Sequence, residues 1–145
     1  MTLDRSFVQL NRASTERIRG LVKRLSEKDL QHPMPDGWTV ASALVYIAFW
    51  DRRVLYALDM TEREGKLVTP QIETFVNDIA LPLFAAIPPS AAARLAVDTA
   101  QSLDKRLEGF SQDRIEELYN YNKRWVLRAL HRGEHLDDVD AALKS

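Results

Sequence analysis

Leu3, Phe7, Leu10, Ser14, Ile18, Leu21 and Leu25 recur at steps of three and four along the first part of the chain. That repeat marks one face of a 3.6-residue helix, and it leaves Arg12, Glu16 and Lys23 to the other faces. The pattern predicts a helix that stops near Ser26. Similar repeats return further along, and no stretch shows the period-two alternation of a half-buried strand. A chain of this kind must bury helix against helix. With 145 residues it is long enough to bury a core without staples, and one domain over 1–145 is the expectation.

The segment "SEKDLQHPMPDG" holds two prolines and a glycine, and reads as a loop with at most one helical turn. Trp38 closes it, and Thr39 is placed to cap a second helix running from about Thr39 to about Arg63. Val40, Ala43, Leu44, Ile47, Val54, Leu55 and Leu58 mark its buried face, Tyr46 and Trp50 lie beside that stripe, and Gly65 ends it. The stretch "KLVTPQIETFVNDIALPLFAAIPP" reads as a long crossover carrying a short helix, interrupted at Pro82 and stopped at Pro88 and Pro89. Ser90 is expected to cap a third helix with Leu95, Thr99, Leu103, Arg106, Leu107 and Phe110 facing inward. After a connection at "SQDRIEELYNYN", a fourth helix is expected from about Asn122 to about Leu143, with Trp125, Ala129, Leu136, Val139 and Leu143 in the core. The fold class that follows is all-α: a four-helix bundle with a long crossover between the second and third helices.

Composition removes several functions. The chain has no cysteine, which excludes disulfides, thiolate metal sites and a cysteine nucleophile, and fits a reducing compartment. Twenty basic and 21 acidic residues are intermixed to a net charge of -1, which offers no basic face for nucleic acid. The longest apolar run, "ALVYIAFW", is too short to span a bilayer, and the first 25 residues lack the apolar stretch of a signal peptide. A soluble cytoplasmic protein is expected, with no membrane and no nucleic-acid partner. No Ser-His-Asp pattern or glycine-rich phosphate loop is visible.

The motif that carries chemistry is "HRGEH", His131 to His135. Formally it is H-x-x-E-H, the signature of the inverzincin zinc peptidases. Those enzymes take a further acidic ligand well downstream, and only ten residues follow His135. Glu134 is also turned about 100° from His135 around a helix. The informative spacing is H-x-x-x-H, which stacks two imidazoles one turn apart and can grip a divalent metal. Two ligands are not a complete catalytic site, which normally has three and an open position. The bland alternative is a polar border on a helix flank.

The segments "LQHPMPDGWTVASALVYIAFWDRRVL" and "LHRGEHLDDVDAAL" together resemble the DinB-like superfamily of four-helix proteins, in length and helix order across the whole chain. That superfamily includes bacillithiol- and mycothiol-dependent transferases and maleylpyruvate isomerase-type domains. The resemblance implies a nickel or zinc ion held by three histidines, two of them at His131 and His135. The third belongs in the second helix, in a pattern like W-S-V-x-x-x-L-x-H-x-x-x-W. Counted from Trp38, that place is Tyr46.

A neutral phenol is a poor zinc ligand, so metal affinity is expected to be weakened or lost. His32 in the preceding loop is the only other histidine, and Asp51 is a carboxylate off the Tyr46 face, expected to pair with Arg52, Arg53 or a fourth-helix arginine. Three readings stay open. The first is a metal-dependent thiol S-transferase or isomerase with a thiol or small-molecule substrate. The second is a metal-free, non-catalytic or stress-associated binding bundle, with Tyr46 hydrogen-bonded to His131 or His135. The third is an interaction protein acting as a homodimer. Trp50, Arg53 and Asn77 complete the candidate pocket around Tyr46: Trp50 as a wall, Arg53 toward an anionic group, Asn77 reaching in from the crossover.

Overall fold

The computed structural model describes residues 4–145. Leu3 lies outside them. Among the described residues seven α-helices follow one another: α1 (Ser6–Arg24), α2 (Glu27–Leu30), α3 (Val40–Glu64), α4 (Val76–Ala85), α5 (Pro89–Gly109), α6 (Gln112–Tyr121) and α7 (Ala129–Leu143). Single 3₁₀ turns at Pro35–Gly37 and Lys123–Trp125 complete the helical set. Among the described residues the only bridge of β type joins Pro33 to Thr39. The chain is therefore all-helical.

The four long helices share one interior. α1 packs on α5 and α7, and α3 packs on α5, α7 and α4. One apolar cluster gathers Ile18, Leu21, Val40, Leu44, Ile47, Leu136 and Val139. A second gathers Phe7, Val54, Leu58, Leu103, Leu107 and Trp125. Most positions that helical spacing selects for the interior of α1, α3 and α5 are buried, and Asn11, Thr15, Asp51, Ala92, Ala96, Ala100 and Asp104 are buried beside them. Leu10 and Leu95, expected inside, are 49% and 41% exposed. Arg106, also expected inward, pairs with Asp59 and Glu62 of α3 at the surface.

Helix ends follow capping chemistry. Thr39 caps α3 and forms a reciprocal capping box with Ser42, and Gly65 ends the helix in the left-handed region at φ 69°. Ser26 marks the end of α1 as expected, because its own capping box with Asp29 starts α2. Ser90 is not a cap. Pro88 and Pro89 open α5 instead, since a proline at the first helical position gives up only an N–H that has no intrahelical partner. Pro82 does not interrupt α4, which runs on through Phe84, a buried anchor. Pro82 is exposed and costs that helix one hydrogen bond. The "SQDRIEELYNYN" connection forms a full helix, α6, which buries Ile115 and Leu118. The fourth long helix consequently begins at Ala129, seven residues later than the sequence suggests.

Two features frame the site. The loop before α3 turns back through Asp36 and Gly37, both at positive φ (62° and 83°). Met34 N–H donates to the Trp38 carbonyl at 2.7 Å and Val40 N–H to that of His32 at 3.1 Å, which sets Trp38 against the start of α3. On the other side α4 lies on α3 through Ala80 and Phe84 and leaves Phe75, Ile79 and Leu83 exposed.

Candidate functional site

Tyr46 on α3 faces His131 and His135 on α7, the arrangement that the family resemblance implies. The Tyr46 ring stacks on His131 with centroids 5.6 Å apart and meets His135 edge-on at 4.5 Å. The two imidazoles lie 4.6 Å apart, also edge-on. Tyr46 meets the histidines through its ring, and the Asn77 amide stands beside its hydroxyl. Asn77 in turn accepts from the Trp50 indole N–H at 3.0 Å. The crossover thus does reach the site, and one amide of α4 adjoins both Tyr46 and Trp50.

The two histidines differ in surroundings. His135 lines a cavity of about 780 Å³ together with Trp38, Tyr46, Asn77, Met34 and Asp138. His131, Trp50, Arg53 and His32 are not among the lining residues. His131 instead has its Nδ1 3.3 Å from Arg128 Nη2. A guanidinium can only donate, so Nδ1 accepts, and the proton of a neutral imidazole sits on Nε2. Burial, reinforced by the charge of Arg128, pushes the His131 pKa down to about 2. His135 is lowered as well, chiefly by burial, with Asp138 and Glu134 pulling the other way. Burial pushes the Tyr46 phenol above its ordinary value, against the opposing effect of Asn77. At neutral pH the three rings are therefore uncharged.

This chemistry tests the implied metal. A histidine that binds a metal normally turns its second nitrogen N–H to a carboxylate or carbonyl, which raises its basicity. The second partner of His131 is a cation. Its one bare nitrogen is occupied, and its other nitrogen carries a proton. Tyr46, in the third ligand's place, is held in the protonated form. Among the described residues no group of three His, Cys, Asp or Glu side chains is placed to hold a metal ion. The donor set does not fit the three-histidine site that the resemblance implies. Glu134 is turned out of the cluster and makes a bidentate pair with Arg124, at 2.8 and 3.0 Å.

Beneath the histidines lies a polar core, of which sequence reasoning anticipates only the pairing of Asp51 with a fourth-helix arginine. Arg132 is completely buried. Its Nε donates to Asp51 of α3 at 2.9 Å. Its Nη1 donates to Asp104 of α5 at 2.9 Å and to Ser14 and Thr15 of α1 at 3.1 Å. Asp51, also completely buried, accepts a second bond from Arg128 Nε at 2.9 Å. One guanidinium thus joins all four long helices. Burial disfavours the charge of Arg132, but Asp51 and Asp104 outweigh it and raise its pKa. Asn11 of α1 adds a cap from outside: its side chain accepts from Ala129 N–H at 3.0 Å and donates to the Val126 carbonyl at 2.8 Å. It thereby satisfies an amide that α7 leaves free at its start. The signal was present in the register. Arg128 and Arg132 stand eight and four residues before the core residue Leu136, on the same helix face.

Comparison with protein-family models, with curated proteins and with solved structures finds no match. Among the described residues no helix is long and apolar enough to cross a membrane.

Proposed function

We propose that this chain is a DinB-like four-helix bundle, with α4 in its crossover, whose metal position has become a metal-free pocket for an uncharged small molecule. The observation that carries this reading is the division of the histidine pair. His135, with Tyr46 and Asn77, is on a cavity wall, while His131 is spent on Arg128. About 780 Å³ is the size of a small-molecule site, and such sites combine apolar walls with a few convergent polar groups. Trp38 and Met34 supply apolar surface. The Tyr46 hydroxyl, Asn77 amide and His135 imidazole supply donors and acceptors without formal charge, and the Asp78 and Asp138 carboxylates on the same wall disfavour anions.

The test is a titration of the full chain with benzamide, a neutral aromatic amide, followed through the Trp38 indole N–H and the His135 ring by NMR. Saturable shifts confined to the cavity, weakened several-fold in Asn77→Ala, are expected. Shifts that grow linearly and are the same in Asn77→Ala would remove the reading.

The adjacency of the His131 and His135 rings favours one other reading, a divalent-metal-dependent thiol S-transferase or isomerase. It requires His131 to leave Arg128 and Tyr46 to ionise. Protein grown with added zinc and nickel and purified without chelator would then carry one metal per chain, lost in His131→Ala.

A further inference from the structure

Arg53 is the one arginine among the described residues that is neither exposed nor paired with a carboxylate. Arg12, Arg17, Arg19, Arg24, Arg106, Arg114, Arg124, Arg128 and Arg132 all have acidic partners. Arg5, Arg52, Arg63 and Arg94 are exposed. The Arg53 guanidinium carbon instead lies 4.6 Å from the Trp50 ring centroid and 4.1 Å from that of Trp125. Its Nε is buried without a hydrogen-bond partner. Neither Nη has a protein acceptor, and neither is sealed from solvent as Nε is.

Two indole faces hold the cation by its attraction to their π-electrons, and they fix the plane of the fork. They offer no acceptor. Burial, and after it the nearby charge of Arg128, lower the Arg53 pKa. A surface salt bridge, the bland expectation for this residue, is absent among the described residues.

We propose that Arg53, held against Trp50 and Trp125, anchors a second binding site whose ligand presents an oxyanion, a carboxylate or a phosphate group. A fixed guanidinium matches either group by two parallel N–H···O bonds. The rings have already immobilised the long side chain, so little rotamer freedom is lost on binding. The site does not depend on the cavity at His135. Arg53 and Trp50 are outside its lining, and the cavity's own charged groups, Asp78 and Asp138, are acids that would repel the same ligand.

The test uses the full chain with ¹⁵N label, titrated with sodium acetate and, separately, with sodium phosphate, at an ionic strength held constant with sodium chloride. The Arg53 Nε–H and the Trp50 and Trp125 indole N–H signals are expected to move saturably in at least one arm. The acetate and phosphate arms tell carboxylate from phosphate. Arg53→Lys keeps the charge and loses the fork, and it should weaken the response about tenfold. Arg53→Gln should abolish it. Circular dichroism establishes that each variant folds; if the glutamine variant does not, the lysine variant decides. No saturable movement in either arm, or a response unchanged in Arg53→Lys, overturns the proposal. Benzamide shifts at Trp38 and His135 report on the cavity alone, so the two readings fail separately.

Discussion

Arg128 Nη2 and His131 Nδ1 lie 3.3 Å apart at the start of α7, so an obligatory donor occupies the bare nitrogen of the more buried histidine. The same guanidinium donates through Nε to Asp51 and through Nη1 to the Arg124 carbonyl. Its position is therefore fixed from three sides.

This pairing predicts a pH dependence of stability. His131 is depressed to about 2 in the folded chain and stands near 6.5 when unfolded. Between those values the unfolded state binds the proton and the folded state does not, so stability falls as pH falls below about 6.5. The slope contributed by His131 approaches about 1.4 kcal/mol per pH unit. His135, also depressed, acts in the same direction. Urea denaturation between about pH 5 and pH 7 measures it, in a window above the titration of ordinary carboxylates. His131→Asn keeps an acceptor for Arg128 and should flatten the slope.

Removing the charge of Asp51 leaves the buried Arg128 without a carboxylate and Arg132 with Asp104 alone. Asp51→Asn should cost about 3–5 kcal/mol, a large part of the stability of a domain of this size. The comparison is Asp59→Asn, which breaks the surface pair with Arg106 and should change the urea midpoint little.

Asn11→Ala should cost about 1–3 kcal/mol, because Ala129 N–H loses its acceptor inside the protein and the Val126 carbonyl is left with the Arg128 N–H alone. Amide hydrogen exchange at Ala129 should accelerate with it. An unchanged exchange rate there would show that the cap is not what holds the start of α7.

The sequence reveals most of what periodicity and capping control. The buried stripe of α3, the Thr39 cap and the Gly65 stop follow from spacing and residue type, and the facing of Tyr46 toward the histidine pair is what the family resemblance implies. Two kinds of feature follow from neither. One is helix that tertiary burial holds against local signals: α4 continues through Pro82 because Phe84 is buried, and α6 forms because Ile115 and Leu118 are. The other is charge inside the core. Arg132, Asp51 and Asp104 look like surface residues by type, and only their register with Leu136, Val54 and Leu107 marks them as inward. Satisfaction of a buried arginine depends on partners from α1, α3 and α5 at once, which no local pattern contains. The division of the histidines is of the same kind, since His131 and His135 share a helix face and differ only in what lies beside them.

In the proposed pocket His131 is a neutral imidazole, protonated on Nε2 and accepting from Arg128, and no metal is taken up. The most direct measurement is the ¹⁵N NMR of the His131 and His135 rings at pH 7, before and after one equivalent of zinc. We predict an unprotonated His131 Nδ1 and a protonated Nε2, both unchanged by zinc. Loss of the Nε2 proton, with the His131 and His135 nitrogens shifting together at one zinc per chain, would contradict it.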